Sequence, residues 1–416
     1  MQPLPGFRDF LPADCAARNY IFWHWRIVAQ KYGFVEWDGP VLEPTDLYQK
    51  KSGVEIVDQL FHFTDKGDRE VSLRPELTPT LARVVAAHDR EFKKPLKWFS
   101  IGQFFRYEKQ QRGRLREHYQ LNCDIIGSDS LAADTELIAL AIDLLREFSF
   151  NDADFVVRIS DRGFWTDFLK EKGVPESKWQ EVLQAIDKSE REPREKTAEK
   201  LGSLAEPVLE ILQKGGTSSR LQELVEGLRL RGLNQFVEVD VRIVRGLAYY
   251  TGIVFEVFDR AGKLRAIAGG GRYDNLIGNL SGGAVSLPAL GFAMGDVVLG
   301  ELIRGKEEAN QRVKEFAEAG NKSLLYLVIA KEERRADALR HAQQLREAGW
   351  RVDYPFAPAK VGKQFQAAEE IGASMAVLFG DEWPNLAVKN LATGEQKLIS
   401  NDQLIGALKS AQAPSG

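Results

Sequence analysis

The chain contains the stretch Phe105-Arg-Tyr-Glu-Lys-Gln-Gln-Arg-Gly-Arg-Leu-Arg-Glu-His-Tyr-Gln-Leu-Asn-Cys-Asp124. Apolar runs flank its charged centre, Trp98 to Phe105 on one side and Leu121 to Ile126 on the other, which predicts two β-strands joined by a charged loop. One guanidinium group can donate two parallel hydrogen bonds to the oxygens of a phosphate. The loop is therefore suited to bind a polyanion, such as a nucleoside triphosphate or a nucleic-acid end. A solvated basic hairpin tip is the alternative. The basic residues of the loop are Arg106, Lys109, Arg112, Arg114 and Arg116.

The overall composition narrows the class of protein. With 416 residues the chain can form two or three domains, each with its own core. The 56 basic and 60 acidic residues nearly balance, so any contact with nucleic acid requires local basic patches. Cys15 and Cys123 have no metal-type spacing, and we expect both to be buried thiols in a reducing compartment. The N-terminus does not resemble a leader and no run of about 18 apolar residues occurs, so we expect a soluble, cytoplasmic protein without membrane contact.

The first 300 or so residues have the pattern of a strand-based core that a helical block interrupts. Residues 17–31 have helical spacing, and Phe34 to Val41 predicts a strand that ends near Pro40. Between residues 164 and 235 the apolar side chains recur at three and four positions, which predicts a helical insertion. The other predicted elements are helices at Leu77–Ala87 and Asp134–Glu147, and strands at Phe155–Ser160, Phe236–Val244 and Ile253–Phe258.

The C-terminal part is predicted to be a separate α/β domain. The mostly polar residues 306–322 form a linker, and strand and helix patterns alternate after it. Its charges nearly balance, so composition does not indicate an electrostatic nucleic-acid binder. The predicted strands are Leu324–Ile329, Trp350–Tyr354, Met375–Phe379, Leu386–Lys389 and Lys397–Ile399, and the predicted helices are Arg334–Glu347 and Gly362–Ile371.

Two short segments combine charged and hydrogen-bonding groups. Arg74-Pro75-Glu76-Leu77-Thr78 places a carboxylate and a hydroxyl at a strand-to-helix transition, where they could hold a small ammonium ligand. A helix start with Thr78 as its cap is the alternative. In the stretch Arg242 to Glu256, a glycine turn delivers Arg245 and two adjacent phenols to one small site. Tyrosines at the edge of the core are the alternative there.

Two further segments are rich in glycine. Ala268 to Asp274 lacks the Lys-Ser/Thr pair of a phosphate loop and the spacing of a dinucleotide fingerprint, which argues against a P-loop enzyme. Its glycines favour close approach of a strand to a flat ligand, or a simple bulge or turn. Leu290 to Leu302 predicts a small-residue strand entering a helix whose N-terminus could face a nucleotide, although its glycines could also serve packing. Five scattered histidines do not indicate a metal site.

Taken together, these segments resemble the histidyl-tRNA synthetases of class II, over essentially the whole chain. Gly33 to Ser52 is similar to the dimer-forming first motif of the class, and Phe105 to Asp124 is similar to its second motif. Arg245-Gly-Leu-Ala-Tyr-Tyr-Thr-Gly and Gly270-Gly-Arg-Tyr-Asp are similar to the two histidine-specific motifs of the family.

The resemblance implies an α+β fold with an antiparallel sheet core of the class II synthetase type. Residues 1–163 and 236–305 would form the catalytic core, 164–235 the helical insertion, and 323–416 an α/β anticodon-binding domain. It also implies a homodimer that activates L-histidine with ATP and Mg²⁺ and charges the 3′ end of tRNA(His).

The resemblance also implies a role for each matching side chain. Glu76 and Thr78 would hold the α-ammonium group of histidine. Arg106 would contact the α-phosphate of ATP and Arg114 its distal phosphates, with Glu108 as a further ATP contact. The remaining histidine contacts would be Gln120, Asp124, Tyr249, Tyr250 and Tyr273.

Two further roles follow from the same resemblance. Arg245 would span the histidine carboxylate and the α-phosphate, in the place where many related enzymes use a magnesium ion. Both it and Arg106 would be catalytic, because attack of a carboxylate on phosphorus joins two anions. Lys109 and Gln111 would contact the acceptor end of tRNA.

The sequence departs from the family pattern at three places. Asp124 stands where glutamate is usual, and Ala248 replaces a common aspartate. The third motif ends Gly295-Asp296-Val297 where Gly-x-Glu-Arg is usual, so the arginine that contacts the distal phosphates is missing. Val297 cannot contact a phosphate, and we expect Arg114 and its neighbours to do so.

Two other functions fit the same resemblance. The chain could be a catalytically inactive paralogue that binds histidine, like the regulatory subunit of ATP phosphoribosyltransferase. It could also be a tRNA-sensing module without catalysis. Retention of Arg106, Arg114 and Arg245, together with the full C-terminal domain, favours the synthetase.

Overall fold

The computed structural model describes residues 2–52, 54–109, 111, 113–244, 249–319 and 323–412. The chain divides into two compact units, Met1–Asn310 and Gln311–Gly416. In the described ranges, no helix is both long and apolar enough to cross a lipid bilayer.

An eight-stranded sheet forms the centre of the first unit, with the strand order β1-β5-β6-β11-β10-β9-β7-β8. Neighbouring strands are antiparallel from β5 to β7, and the short edge strands β1 and β8 pair in parallel. A smaller sheet has the order β2-β4-β3. The strands are β1 Val35–Glu36, β2 Leu42–Pro44, β3 His62–Thr64, β4 Glu70–Leu73, β5 Leu96–Phe105, β6 Glu117–Ile126, β7 Phe155–Asp161, β8 Val237–Val239, β9 Ile253–Asp259, β10 Ala268–Arg272 and β11 Ala289–Gly295.

Helices accompany these sheets, and α4 buries apolar side chains along most of its length. The α-helices are α1 Pro12–Lys31, α2 Thr45–Ser52, α3 Thr78–Ala87, α4 Leu131–Glu147, α5 Arg162–Glu171, α6 Trp179–Lys188, α7 Arg194–Leu201, α8 Ala205–Lys214, α9 Ser219–Leu230, α10 Leu276–Leu280, α11 Asp296–Gly305 and α12 Glu307–Ala319. Short 3₁₀ segments occur at Val54–Gln59, Asp89–Glu91, Glu176–Lys178, Gly202–Leu204 and Asn234–Phe236.

The predicted charged hairpin is present. Strands β5 and β6 pair antiparallel from Leu96 opposite Ile126 to Phe105 opposite Glu117. Strand β6 begins four residues before the predicted start at Leu121, because its polar first half still forms the ladder with β5. The hairpin therefore provides a rigid base for the arginine-bearing loop.

Residues 164–235 are helical, as their spacing predicts. Apolar side chains from α5 to α8 form a cluster that includes Trp165, Leu169, Leu183, Ile186 and Val208. The chain leaves the sheet after β7 and returns to it at β8, which pairs with β7 in parallel.

Two strand predictions were too long. Of Phe34–Val41 only Val35–Glu36 is a strand, because the ladder ends where the Trp37 amide donates to the Phe99 carbonyl, ahead of a Gly-Pro pair. Of Phe236–Val244 only Val237–Val239 is a strand. After it, Asp240 forms a turn in which its carboxylate accepts from the backbone amide of Arg242 at 3.1 Å.

The second unit contains a five-stranded sheet with the order β13-β12-β14-β15-β16. Its first three strands are parallel and the last two are antiparallel additions, so the predicted α/β pattern is confirmed. The core includes Leu325, Leu327, Val377, Phe379 and Leu386. The elements are β12 Leu324–Ile329, α13 Arg335–Glu347, β13 Arg351–Asp353, α14 Val361–Glu370, β14 Met375–Phe379, β15 Asn385–Asn390, β16 Gln396–Ser400 and α15 Leu404–Gln412, with a 3₁₀ turn at Glu332–Arg334.

Candidate active site

A cavity of about 730 Å³ lies in the first unit, lined by strands β6, β9, β10 and β11 and by the hairpin loop. The start of α3, the segment that leads into β10, the end of α6, residues before β9 and the start of α11 also contribute to its wall. The structure thus brings together segments that are up to 220 or so positions apart in sequence. The predicted site residues in its lining are Glu76, Thr78, Arg106, Glu108, Gln111, Arg114, Gln120, Asp124, Tyr249, Tyr250 and Tyr273.

Two predicted residues are not part of this set. Lys109 is exposed on the hairpin loop and is absent from the described lining. Arg245 lies outside the described residues, as do Ala248 and the loop residue Arg112.

The cavity floor is formed by alternate residues of β6. Gln120, Asn122 and Asp124 are two positions apart and therefore share one face of the strand. The phenol of Tyr273 donates to Asp124 Oδ1 across 2.5 Å, and both side chains are buried. Burial and the charge of Asp124 raise the pKa of Tyr273 well above its usual value, so the phenol remains a donor. Asp124 is thereby kept as an acceptor.

Gly291 on β11 makes room for this carboxylate. It pairs with Asp124 across the two strands, and a Cβ at residue 291 would lie 1.9 Å from Asp124 Oδ1. Real Cβ atoms do not approach oxygen so closely, so any side chain there would displace the carboxylate. The position of Asp124 therefore depends on a glycine from the neighbouring strand.

Three tyrosines form an aromatic wall beside this acceptor. The ring centroids of Tyr249 and Tyr250 are 4.6 Å apart, and Tyr249 meets Tyr273 edge to face at 6.1 Å. Such contacts fix ring orientation as well as burying apolar area. The wall and Asp124 together form a pocket suited to a small, flat, hydrogen-bonding ring.

The start of α3 lies next to Arg106. The guanidinium Nε of Arg106 donates to the carbonyl of Pro75 at 3.0 Å, which connects the end of β5 to the segment carrying Glu76. Thr78 is the first residue of α3, and Leu77 occupies the capping position without a side-chain cap. The alternative interpretation of Thr78 as the helix cap is therefore wrong.

The hairpin loop holds a second arginine. Arg114 forms an ion pair with Glu108, and its backbone amide donates to the carbonyl of Gln111 at 2.9 Å. Arg116 stacks its guanidinium over the ring of Tyr107 at 4.4 Å from the centroid. Of the loop cations in the described part of the chain, Arg106 and Arg114 line the cavity.

His118 reports the electrostatic character of this end of the cavity. Burial, followed by the positive charges of Arg106, Arg8 and Arg114, lowers its pKa to about 3. The imidazole is therefore neutral at physiological pH. Burial disfavours any charge on this ring, and the additional effect of the three guanidinium groups shows that positive charge is concentrated near it.

Comparisons with known proteins bear directly on this arrangement. A family model described as histidyl-tRNA synthetase matches residues 6–296, and one described as an anticodon binding domain matches residues 323–411. The chain belongs to the histidyl-tRNA synthetase family. The resemblance stated from the sequence motifs is thereby confirmed.

Curated relatives in this family match along nearly the whole length. The chain is 44% identical to the histidine–tRNA ligase of Opitutus terrae, and the alignment covers 97% of both proteins. It is 39% identical to the chloroplastic/mitochondrial histidine–tRNA ligase of Arabidopsis thaliana, over 95% of this chain and 84% of the relative.

Solved structures agree on the fold. The chain is similar to a histidyl-tRNA synthetase from a Nostoc species with a TM-score of 0.75, 23% identity and 99% coverage of both chains. It is also similar to a protein from Bacillus halodurans titled as an ATP phosphoribosyltransferase regulatory subunit/histidyl-tRNA synthetase. That match has a TM-score of 0.68 and 22% identity, and covers 88% of this chain and 96% of that one. The predicted class II fold is confirmed.

The third family motif takes an unusual form here. Asp296 begins α11 and is buried, where its carboxylate accepts from Arg8 Nη1 and from the Tyr119 amide, both at 2.8 Å. Burial raises the pKa of Asp296, and the charge of Arg8 opposes that rise. In the usual Gly-x-Glu-Arg form counted from Gly295, glutamate falls at position 297 and arginine at position 298, so Val298 rather than Val297 stands in the place of the missing arginine. Val297 and Val298 both line the cavity.

In the Gly270-Gly-Arg-Tyr-Asp motif of the family, Tyr273 lines the cavity, whereas Gly270 and Arg272 serve packing within the fold. Arg272 is buried and pairs with Asp134 at 2.5 Å and Asp274 at 3.1 Å, so it braces the strand against α4. A Cβ on Gly270 would come within 2.2 Å of the Gly291 carbonyl. At this position the glycine permits close approach between strands rather than to a ligand.

Sequence reasoning missed several residues of the lining. Asn122 carries a buried amide nitrogen without a hydrogen-bond partner in the described part of the chain, and its alternation with Gln120 and Asp124 was the available signal. Nothing in local sequence pointed to the contribution of the insertion. The other missed polar lining residues are His118, Asp187, Glu190, Arg191, Arg242, Glu256 and Arg265.

Proposed function

We propose that the chain is a histidine–tRNA ligase that forms histidyl-adenylate in this cavity and transfers the histidyl group to the 3′ end of tRNA(His). The observation that carries the proposal is the presence of a fixed carboxylate acceptor, Asp124 with Tyr273, in the same cavity as Arg106 and Arg114. One end suits an imidazole ring, and the other suits a polyphosphate.

The histidine would bind at the buried end. Asp124 accepts a hydrogen bond from an imidazole N–H, and the tyrosine wall packs against the ring. Glu76 and Thr78 line the cavity and would accept hydrogen bonds from the α-ammonium group, and Gln120 would line the amino-acid pocket. This assignment places two carboxylates, Glu76 and Asp124, around the substrate, and the hydrogen bond from the imidazole ring to Asp124 would distinguish histidine from apolar amino acids.

ATP would bind at the cationic end, with Arg106 on the α-phosphate and Arg114 on the distal phosphates. Glu108, which pairs with Arg114, holds that guanidinium at the cavity wall before ATP arrives. A bound anion would share or replace this ion pair. Arg245, outside the described residues, is assigned to both substrates by the family resemblance.

The reaction requires charge stabilisation more than proton transfer. An oxygen of the histidine carboxylate attacks the α-phosphorus, a new P–O bond forms, and the bond to the β-phosphate oxygen breaks to release pyrophosphate. The carboxylate is already ionised, so no general base is needed. Arginines placed before the reaction lower the barrier by meeting the developing charge without reorganisation.

Magnesium fits this site as a companion of ATP. In nucleotide sites Mg²⁺ binds through one or two carboxylates and the phosphates of the substrate. Glu108 and Glu256 are carboxylates of the lining that could hold it. The described residues contain no cluster of three or more side chains that could hold a metal ion. When bound, the ion would neutralise charge on the triphosphate.

The tRNA would contact both units. Lys109, exposed on the hairpin loop, and Gln111, which lines the cavity, are proposed to contact the acceptor end. Residues 323–411, which match an anticodon binding domain, are proposed to bind the anticodon. We also retain the proposed division into a core at 1–163 and 236–305, an insertion at 164–235, a linker at 306–322 and the anticodon-binding domain.

Association into a homodimer is part of the proposal. The first-motif region exposes apolar side chains that a second copy could cover: Val35 is 63% exposed, Val41 41% and Leu42 42%. We also propose a cytoplasmic location, because both cysteines are free thiols and thiols remain reduced there. Cys15 is partly exposed, so the expectation that both thiols are buried holds for Cys123 alone.

The test is exchange of labelled pyrophosphate into ATP with each amino acid in turn. The expected result is exchange that depends on L-histidine, followed by charging of tRNA(His) in a second assay. Histidine binding without exchange would contradict the proposal and support the regulatory-subunit alternative. Exchange without charging would contradict the transfer step alone.

A further inference from the structure

Arg265 projects into the cavity from a segment that the family motifs do not include. It lies between β9 and β10, where residues 264–268 all line the cavity. Its Nη1 donates to Gln111 Oε1 of the hairpin loop at 2.9 Å. The same Gln111 exchanges backbone hydrogen bonds with Arg114, so Arg265 and Arg114 adjoin one loop residue.

The charge of Arg265 is not neutralised by a carboxylate in the described part of the chain. Its side-chain partner there is the neutral amide of Gln111. By contrast, Arg114 pairs with Glu108, and Arg242 pairs with Asp240 at 2.7 Å. A guanidinium that faces a cavity with only an amide partner retains most of its capacity to bind an anion.

Arg265 also lies beside the position of the missing third-motif arginine. A Cβ built on Gly113 would lie 3.4 Å from Val298 Cγ2 and 3.6 Å from Arg265 Cδ. Both side chains therefore approach the same point, next to Arg114 in the loop. Val298 cannot contact a phosphate, whereas the arginine stem beside it carries a guanidinium.

We infer that Arg265 binds the distal phosphates of ATP from β9–β10 and takes over the contact that an arginine at position 298 would make. The inference rests on the proposed function, because it places ATP in this cavity. Arg114 and Arg265 both line the cavity and both adjoin Gln111, and the β- and γ-phosphates are the part of the substrate with enough negative charge to bind two guanidinium groups. Arg265 would then stabilise pyrophosphate as it leaves.

A different role for Arg265 would be to position the hairpin loop through Gln111. The two roles differ in their dependence on Gln111 and on the phosphate chain. A phosphate contact needs the guanidinium and loses nothing essential when Gln111 is shortened. A loop-positioning role needs both members of the hydrogen bond equally.

The experiment measures ATP and AMP affinity by titration calorimetry on the full-length protein with Mg²⁺. Arg265→Ala should weaken ATP binding about 10- to 100-fold, the scale of one charged hydrogen bond, and leave AMP binding unchanged. The ATP affinity of Arg265→Lys should fall between those of the wild type and Arg265→Ala, because lysine keeps the positive charge but cannot make the paired hydrogen bonds of a guanidinium group. Lys263→Ala, an exposed cation two positions earlier, is the matched control and should bind ATP like the wild type.

Two further variants separate the roles. Gln111→Ala, measured without tRNA because Gln111 is proposed to contact the acceptor end, should weaken ATP binding clearly less than Arg265→Ala does; a loss equal to that of Arg265→Ala would overturn the phosphate contact. Adding Val298→Arg to Arg265→Ala should recover ATP affinity, since it restores an arginine at the same point. An ordered double variant that binds ATP no better than Arg265→Ala would overturn the shared location.

The outcome can be separated from failure of the proposed function. Histidine-dependent exchange is measured first on the wild-type protein, and its absence would contradict the proposed ligase function. If the wild type exchanges normally and Arg265→Ala binds ATP with unchanged affinity, only the inference about Arg265 is overturned.

Discussion

Tyr273 and Asp124 form a buried donor–acceptor pair, with the phenol oxygen 2.5 Å from Asp124 Oδ1. Burial and the neighbouring carboxylate both raise the pKa of Tyr273, so the proton stays on the phenol. Near neutral pH the phenol therefore stays protonated and donates to Asp124. A ligand that presents an N–H donor would find this acceptor already oriented.

Asp124→Asn should impair histidine recognition. The amide can present its NH₂ group to the imidazole N–H, and such a buried mismatch costs about 1–3 kcal/mol, roughly a 5- to 150-fold rise in the histidine KM. The ATP KM should hardly change. Exchange kinetics with each substrate varied separately provide the measurement, and unaltered histidine KM and amino-acid selectivity would remove Asp124 from the pocket.

Gly291→Ala should reproduce that defect from the neighbouring strand. The added Cβ would lie 1.9 Å from Asp124 Oδ1, so the carboxylate must move. We expect the histidine KM to rise by about tenfold or more, with overpacking lowering the free energy of unfolding by about 1–3 kcal/mol. Gly305→Ala is the control, because a Cβ at that position meets no atom within 4 Å. Normal histidine kinetics in the Gly291 variant would show that the carboxylate can shift without consequence.

Arg114→Ala should affect ATP rather than histidine. Loss of a charged hydrogen bond to the distal phosphates corresponds to about 1.5–3 kcal/mol, or roughly 10- to 150-fold in the ATP KM. The substitution also leaves Glu108 without its ion-pair partner, which adds repulsion toward the phosphates. The exchange assay at varied ATP decides the matter. A normal ATP KM would mean that Arg114 serves only to neutralise Glu108.

His118 should make stability fall in acid. Its pKa in the folded protein is about 3, against an ordinary value of 6.5, so between these values the unfolded chain binds a proton that the folded one does not. The free energy of unfolding is therefore unaffected by this group above pH 6.5, and it decreases as the pH falls from 6.5 toward 3, because protonation of His118 favours the unfolded chain. Relative to His118→Gln, the wild type should lose up to about 1.4 kcal/mol of unfolding free energy per pH unit in this window.

Urea unfolding at a series of pH values measures this slope. His62→Gln, at an exposed position on β3, is the control and should retain the wild-type slope. Identical slopes for the wild type and His118→Gln would show that the imidazole is not held neutral by its surroundings.

Removal of residues 323–416 should separate the two steps of the reaction. All cavity residues lie in the first compact unit, so histidine-dependent exchange should persist in the truncated protein. Charging of tRNA(His) should fall strongly, because the anticodon contacts are lost. Equal charging by the truncated and full-length proteins would contradict this division, and loss of exchange would implicate the second unit in adenylate formation.

The hairpin could be predicted from sequence because its signals are local: two apolar runs marked the strands, and the cluster of arginines marked the loop. Gln120 and Asp124 were assigned to the pocket by the family resemblance instead. Their alternation along β6 places Asn122 on the same face of the strand. These predictions require only that neighbouring residues form a strand with two distinct faces.

Other features depend on contacts between distant segments and have no local signal. The role of Gly291 arises from its pairing with Asp124 on another strand. The burial of Asp296 is made possible by Arg8, almost 290 positions away. The overlong strand predictions failed for a related reason, because apolar composition does not reveal where Asp240 turns the chain out of the sheet.

The contact between Gly291 and Asp124 also limits how the amino-acid preference of this enzyme can be redesigned. A library that varies position 124 alone keeps a neighbour with no side chain, and every larger replacement must fit between that backbone and Tyr273. A library that varies 291 alone expels the carboxylate. Productive variants should therefore arise from joint randomisation of positions 124, 273 and 291, because a change at any one of them limits which side chains the other two can hold.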